Sequence, residues 1–302
     1  MLRTFSMAVS LPNSLRELYP FQSRFVSLPD GTGMHYVDEG KGDLVLFFHD
    51  IPLWSFFFRN LIRDLRKHFR CLAPDYRGFG LSSKPDQMNY SLRTITDDVL
   101  AFLQKLNVGK FNLVLHGWGA VPAMAMATRW PERVRRIVIL NGNCFPNYRM
   151  PMSHSFFRAG SWGKVTVNFL NLPVRQAALS AAVSGRVRAG YRYPYRSWAS
   201  RTPTRLFFEN LPRTPKNGIG RWLEEVTEKM GILCRKKSIA FWGTKDFAFP
   251  EEILDCWEEY LEELKIHRFP YGGRYVLEDD YGTIFPLLRR FLMDGVELKL
   301  PL

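Results

Sequence analysis

Hydrophobic positions fall into short blocks whose period alternates along the chain. Arg24–Leu28 and Met34–Glu39 read as strands joined by a Pro29-Asp30-Gly31 turn. Asp43–Phe48, Phe69–Ala73, Phe111–Leu115 and Val134–Asn141 are short runs of nearly continuous apolar residues, the pattern of strands buried on both faces. Between them, Leu53–Leu65 and Ala120–Arg129 carry helical patterning. After Ser91, a plausible N-cap, Leu92, Ile95, Val99, Phe102, Leu103 and Leu106 recur at helical spacing. Repeated strand–helix units predict a mostly parallel sheet, eight-stranded and flanked by helices, with ligand chemistry at the carboxyl ends of its strands.

The alternation stops near Asn143. It returns with a strand at Ser238–Trp242, a helix at Pro250–Leu264, a strand at Lys265–Phe269 and a helix at Thr283–Met293. The intervening stretch is rich in Arg, aromatics, Pro and Gly and lacks buried-strand runs. It reads as an inserted helical cap, residues 147–229, on a core formed by residues 1–146 and 230–302.

Length and composition fit a globular chain: 302 residues, 46% hydrophobic and 24% charged. The first residues make a poor signal peptide and no apolar run spans a bilayer, so a cytoplasmic location is expected. Cys71, Cys144, Cys234 and Cys256 stand far apart without metal-ligand spacing, which predicts buried, reduced thiols; no metal and no cofactor is expected. The net charge of +13 changes the picture, because it is uneven. Asn147 to Gly220 holds twelve Lys and Arg against a single acid, Glu209, which is +11 and leaves +2 for the rest. A solvated basic surface is the plain reading. An anionic ligand, an acidic protein or an acidic membrane surface, with the chain held peripherally, are the sharper ones; nucleic acid is not expected.

The chemistry centres on Leu115-His116-Gly117-Trp118-Gly119, between a strand and a helix. A strand, a sharp small-residue turn and a helix form a nucleophile elbow. With Met34-His35-Tyr36-Val37-Asp38-Glu39-Gly40, Trp54 to Asn60, Ala73 to Pro85, Trp242-Gly243-Thr244-Lys245-Asp246-Phe247 and Gly272-Gly273-Arg274-Tyr275 to Asp279, the elbow makes the chain resemble the α/β-hydrolase fold. Within that fold it resembles the haloalkane dehalogenase family and the neighbouring β-lactone decarboxylases of olefin biosynthesis, from about Tyr19 to Phe291.

That resemblance implies an elbow Asp that attacks substrate carbon, a His that activates water against the resulting ester, and an acid that orients the His. Here the nucleophile position matches Gly117, either a plain turn residue or one that opens room for a ligand or water. The base position matches Arg274, which does not release its proton at working pH. The acid position matches Asp246 and is retained. An Asp246–Arg274 salt bridge is expected; the alternative has Arg274 pointing into the cavity toward an anionic ligand. The family's His-Gly-Asn-Pro loop corresponds to His49-Asp50-Ile51-Pro52, so Ile51 replaces the amide donor and Asp50 places a carboxylate beside the oxyanion position. The Trp118 backbone N–H remains as donor.

Nucleophile, base and donor are altered together, which predicts a catalytically degenerate member that binds a small apolar or anionic ligand or a partner. The alternatives are an active enzyme with a relocated site built from Asp50, Asp246 and Arg274, with Asp50 as rescue carboxylate, and a peripheral scaffold docking through the basic cap. His49 and His116 are expected to face into the fold. His154 and the aromatics around Trp198 are candidates for lining a cavity under the cap.

Overall fold

In the computed structural model of the chain, residues 4–5, 11–146, 151–158, 160–180, 183–211 and 218–294 are described. The strands are β1 (Thr4–Phe5), β2 (Arg24–Ser27), β3 (Gly33–Glu39), β4 (Asp43–Phe48), β5 (Phe69–Pro74), β6 (Phe111–Gly117), β7 (Val134–Gly142), β8 (Lys237–Gly243) and β9 (Leu264–Phe269). They form one sheet in the order β1-β2-β3-β5-β4-β6-β7-β8-β9. The pairs from β5 through β4, β6, β7 and β8 to β9 are parallel, and β1, β2 and β3 add antiparallel pairs at one edge. The eight expected strands are thus present, extended by a two-residue edge strand that has too few residues to leave a pattern.

The continuous apolar runs are the central strands. Leu46, Phe47 and Val114 are fully buried, and the two faces of the sheet feed separate clusters of side chains. Each face is covered by helices with one apolar stripe, such as Leu92–Lys105, whose N-cap Ser91 accepts from the Thr94 N–H at 3.2 Å. Ala120–Arg129 forms as its spacing predicts. The segment expected as one helix at Leu53–Leu65 opens as a 3-10 turn, Ser55–Phe58, before the α-helix Arg59–Leu65. The helix expected at Pro250–Leu264 is Glu251–Tyr260, and Leu264 already belongs to β9. Helices Met152–Arg158, Leu172–Ser180, Gly185–Arg192, Trp198–Asn210 and Gly218–Glu228 lie between β7 and β8. Residues 147–150, where the expected insertion begins, lie outside the described residues. The four cysteines are free, but only Cys71 and Cys144 are buried; Cys234 and Cys256 are partly exposed, against the expectation of four buried thiols.

Candidate active site

Parallel strands bring the ends of β4, β6, β8 and β9 to one edge of the sheet. Asp50 follows β4, Gly117 ends β6, Asp246 follows β8 and Arg274 follows β9. Register places Phe48 of β4 beside Leu115 of β6, so the Asp50 loop runs directly beside the elbow.

Gly117 has φ +58, a left-handed conformation that side chains rarely adopt. A Cβ built there would lie 2.1 Å from Asp50 Cγ and 2.2 Å from Asp50 Oδ1. The carboxylate of Asp50 therefore occupies the volume into which an elbow side chain would project. Of the two readings of Gly117, the one that opens room for a ligand or water is not what the structure holds: Asp50 fills the room.

Both Asp50 oxygens are engaged. Oδ1 accepts from the Trp118 N–H at 2.8 Å, the donor expected to remain for an oxyanion. Oδ2 accepts from Arg274 Nε at 2.9 Å and lies 2.8 Å from Nη2 of the same guanidinium. Asp50 and Arg274 are 1% and 3% exposed. Asp246 comes no closer to Arg274 than 3.7 Å. The expected Asp246–Arg274 ion pair is thus present but loose, and Asp50, which the expectation left out, holds Arg274 more tightly. The guanidinium reaches past the rings of Phe249, 4.1 Å from its centroid, and Phe247.

Asp246 is instead held by the protein frame. Its Oδ1 accepts from the Ala248 and Phe249 N–H groups at 2.8 and 3.1 Å, and its Oδ2 from Asn141 Nδ2 at 3.1 Å. Burial raises its pKa to about 6, against the opposing pull of Arg274 and those two N–H groups.

The imidazoles are fixed by backbone partners. His49 Nδ1–H donates to the Asp50 carbonyl at 2.8 Å, and its Nε2 accepts from the Tyr76 N–H at 3.1 Å. His116 Nε2–H donates to the Arg274 carbonyl at 2.9 Å while its ring stacks on Phe57. These two rings brace the backbones of the very residues that form the ion pair. Burial, and then the charge of Arg274, lower the His116 pKa to about 4.

His154 is buried among Phe157, Phe208 and Phe247. Burial and the nearby Arg274 charge depress its pKa to about 3, so its imidazole is neutral at pH 7. Two expected binding residues stand elsewhere. Trp198 opens the helix Trp198–Asn210 and is 51% exposed, because the N-terminus of that helix lies at the surface, so it does not wall an interior cavity. Ile51 packs into one of the buried clusters, where its apolar side chain contributes no donor. Trp118 packs edge-on against Phe207 and Phe249. The sequence reading missed Tyr76. Its ring stacks on His49, and its hydroxyl, whose pKa burial and then the Asp50 charge push up, has no hydrogen-bond partner among the described residues. Its place directly after Asp75, at the end of β5, was the available signal.

The α/β-hydrolase-fold family model matches residues 43–281, which span β4, the elbow and the loops carrying Asp246 and Arg274. The chain belongs to the α/β-hydrolase family. Within it, the chain is 32% identical over 290 residues to a cis-3-alkyl-4-alkyloxetan-2-one decarboxylase of Shewanella oneidensis, covering 93% of this chain and 91% of that protein. It is 30% identical over 269 residues to haloalkane dehalogenase 2 of Mycobacterium tuberculosis, covering 87% and 92%. Among solved structures, an ancestral haloalkane dehalogenase superposes with a TM-score of 0.79 at 25% identity over 90% of this chain and 98% of that one. This α/β-hydrolase is thus related to dehalogenases and decarboxylases. Its relatives are hydrolase-fold enzymes, and none of its described helices is long and apolar enough to cross a membrane.

Proposed function

We propose that this α/β-hydrolase has exchanged its covalent chemistry for binding, with a buried Asp50–Arg274 pair standing in for nucleophile and base. One observation carries the reading: the Asp50 carboxylate fills the space above Gly117 and takes both the Trp118 N–H and the Arg274 guanidinium. A carboxylate clamped on both oxygens is a weak nucleophile, because attack would break a buried ion pair. Arg274 supplies charge but no base, and the N–H that would stabilise an oxyanion is already occupied.

The interior also selects against anions. Above about pH 6, two carboxylates, Asp50 and Asp246, share one guanidinium while His116 and His154 are neutral, leaving an excess of one negative charge. A small apolar ligand suits this site better than an anionic one.

A second reading is favoured by one specific observation: His154 remains a neutral imidazole near Asp50 and Arg274. In that reading Asp50 attacks from its relocated position, with Arg274 and Asp246 as its frame and His154 as base. The two separate in one experiment. Purified protein is incubated with a haloalkane, an epoxide and a cis-3,4-dialkyl β-lactone, following product release and intact mass. The binding reading expects no turnover above buffer and no adduct. Turnover that disappears in Asp50→Asn and in His154→Gln, or a mass increment on Asp50 that is absent in Asp50→Asn and persists in His154→Gln, overturns it in favour of the relocated enzyme.

A further inference from the structure

Outside the site, the surface of the segment between β7 and β8 has two adjoining hollows. The first, about 310 Å³, is lined by Arg175, Arg192, Arg196 and Arg201 together with Phe169, and no acidic residue lines it. The second, about 730 Å³, is lined by Phe156, Leu172 and Leu179, with Arg175 at its rim. Arg175 belongs to both, so the cationic and the apolar hollow are neighbours on one face.

The charge in the first hollow is uncompensated. Among the described residues, the arginines of this segment form ion pairs only as Arg186–Glu17 and Arg205–Glu209, so none of the four has a carboxylate. Arg201 donates to the backbone carbonyls of Tyr195, Asn168, Phe169 and Arg196, at 2.8 to 3.2 Å. Those bonds fix its guanidinium in place without neutralising it. Arg196 lies over the Tyr193 ring at 4.2 Å. Burial and the like charge of Arg175 depress the Arg201 pKa, as expected where guanidinium groups converge without an anion. Beside them, Phe169, Leu179 and Phe156 are exposed at 69%, 64% and 52%, large apolar side chains grouped at the two hollows rather than scattered singly.

From this juxtaposition we infer that the face is a docking surface for an anionic phospholipid bilayer. The Arg175, Arg192, Arg196 and Arg201 hollow takes a headgroup phosphate, and Phe156, Phe169 and Leu179 enter the acyl boundary. Guanidinium forks match phosphate oxygens, and a basic surface with protruding aromatic and aliphatic residues is the composition that settles at a charged lipid interface. An acidic polypeptide would satisfy the arginines but leaves the protruding apolar side chains without a hydrocarbon phase. The inference stands apart from the reading of the elbow, since none of these residues belongs to it.

The test is co-sedimentation of the full chain with vesicles of phosphatidylcholine alone or with 30 mol% phosphatidic acid, at roughly 0.1 and 0.5 M salt. Binding is expected only to the acidic vesicles and weaker at high salt, because exposed charge is screened. Arg192→Gln with Arg196→Gln, chosen because neither side chain makes a hydrogen bond among the described residues, is expected to lower the partition coefficient roughly 25-fold. Phe169→Ser is expected to weaken binding at unchanged salt dependence. Circular dichroism confirms that each variant folds. Equal binding to neutral vesicles, retention in the double variant, or capture of poly-glutamate or inorganic phosphate without sedimentation on acidic vesicles overturns the inference.

Discussion

Adding a single methyl group at the elbow separates the ion-pair reading from an ordinary tight turn. In Gly117→Ala the new Cβ would stand 2.1 Å from Asp50 Cγ and 2.5 Å from Asp50 Cβ, so the carboxylate must leave. Two costs follow. The φ of +58 imposes about 1–2 kcal/mol on any L side chain. Expelling Asp50 strands the buried Arg274 and the Trp118 N–H, at about 3–5 kcal/mol for a broken buried pair. The total approaches the whole stability of many domains, about 5–15 kcal/mol. Asp50→Gly alone removes the obstacle but leaves Arg274 without its carboxylate, so it too is destabilising by about 3–5 kcal/mol. Combining Asp50→Gly with Gly117→Asp returns a carboxylate to nearly the same place from the neighbouring strand, and only the backbone strain remains. Urea unfolding of the parent, Asp50→Gly, Gly117→Asp and the double variant as a double-mutant cycle, followed by far-UV circular dichroism, is expected to give a favourable coupling of at least about 3 kcal/mol. If Gly117→Ala melts within about 1 kcal/mol of the parent, or the two changes simply add, Asp50 does not fill the elbow in solution and the reasoning fails.

The remaining predictions use the same site. His154, with its pKa depressed to about 3 in the fold, gives stability that is fully present above its unfolded value near 6.5 and is lost as pH falls below it. His154→Phe is therefore expected to flatten the loss between pH 7 and pH 5 by about 2 kcal/mol in urea titrations; an unchanged pH profile would show that the imidazole is not buried. Because ionised Asp246 is disfavoured by burial, its effect has the opposite sign: stability declines as pH rises from about 4 to 6, and Asp246→Asn removes that decline. The triple change Asp50→Gly, Gly117→Asp and Arg274→His restores a nucleophile, a base and the retained acid. Incubated with a bromoalkane, it is expected to release bromide or to show an ester adduct by intact mass, and absence of both in a folded triple variant counts against a vestigial site.

The parallel sheet was legible because residues buried on both faces leave uninterrupted apolar runs, and Ser91 because a cap needs one polar side chain at one place. The short extra strand, Thr4–Phe5, left no trace of that kind. At the site, the altered positions were readable one at a time: Gly117 from what it lacks, Arg274 from its fixed charge, Asp50 from an acid in a loop that usually has none. The tightest pairing among them was not. Asp246 and Arg274 were matched because they correspond to an acid and a base elsewhere in the family, whereas Asp50, seated over the elbow, reaches Arg274 more closely although β8 and not β4 neighbours β9. Linear order holds no record of which of two carboxylates, separated by 196 positions, lies at 2.8 Å and which at 3.7 Å. Trp198 failed for a related reason: aromatic character signals burial on average, but the first turn of a surface helix can leave a ring in water.

The distribution of charge separates the two proposals, one at the sheet edge and one on the outer face. Within the sheet edge, two carboxylates compete for one guanidinium and both nearby imidazoles are neutral, so an incoming anion meets net repulsion in a medium that screens it poorly. On the outer face, four guanidinium groups converge with no acid to balance them, and solvent or a phosphate must do so. An anion-binding role assigned to Arg274 would require Asp50 to release it, at the cost of an uncompensated buried carboxylate. The same role assigned to Arg192 and Arg196 disrupts no existing ion pair. The +11 of Asn147–Gly220 and the near-neutral remainder of the chain fit the two proposals together, in which an anionic surface meets the outer face and an uncharged ligand the elbow.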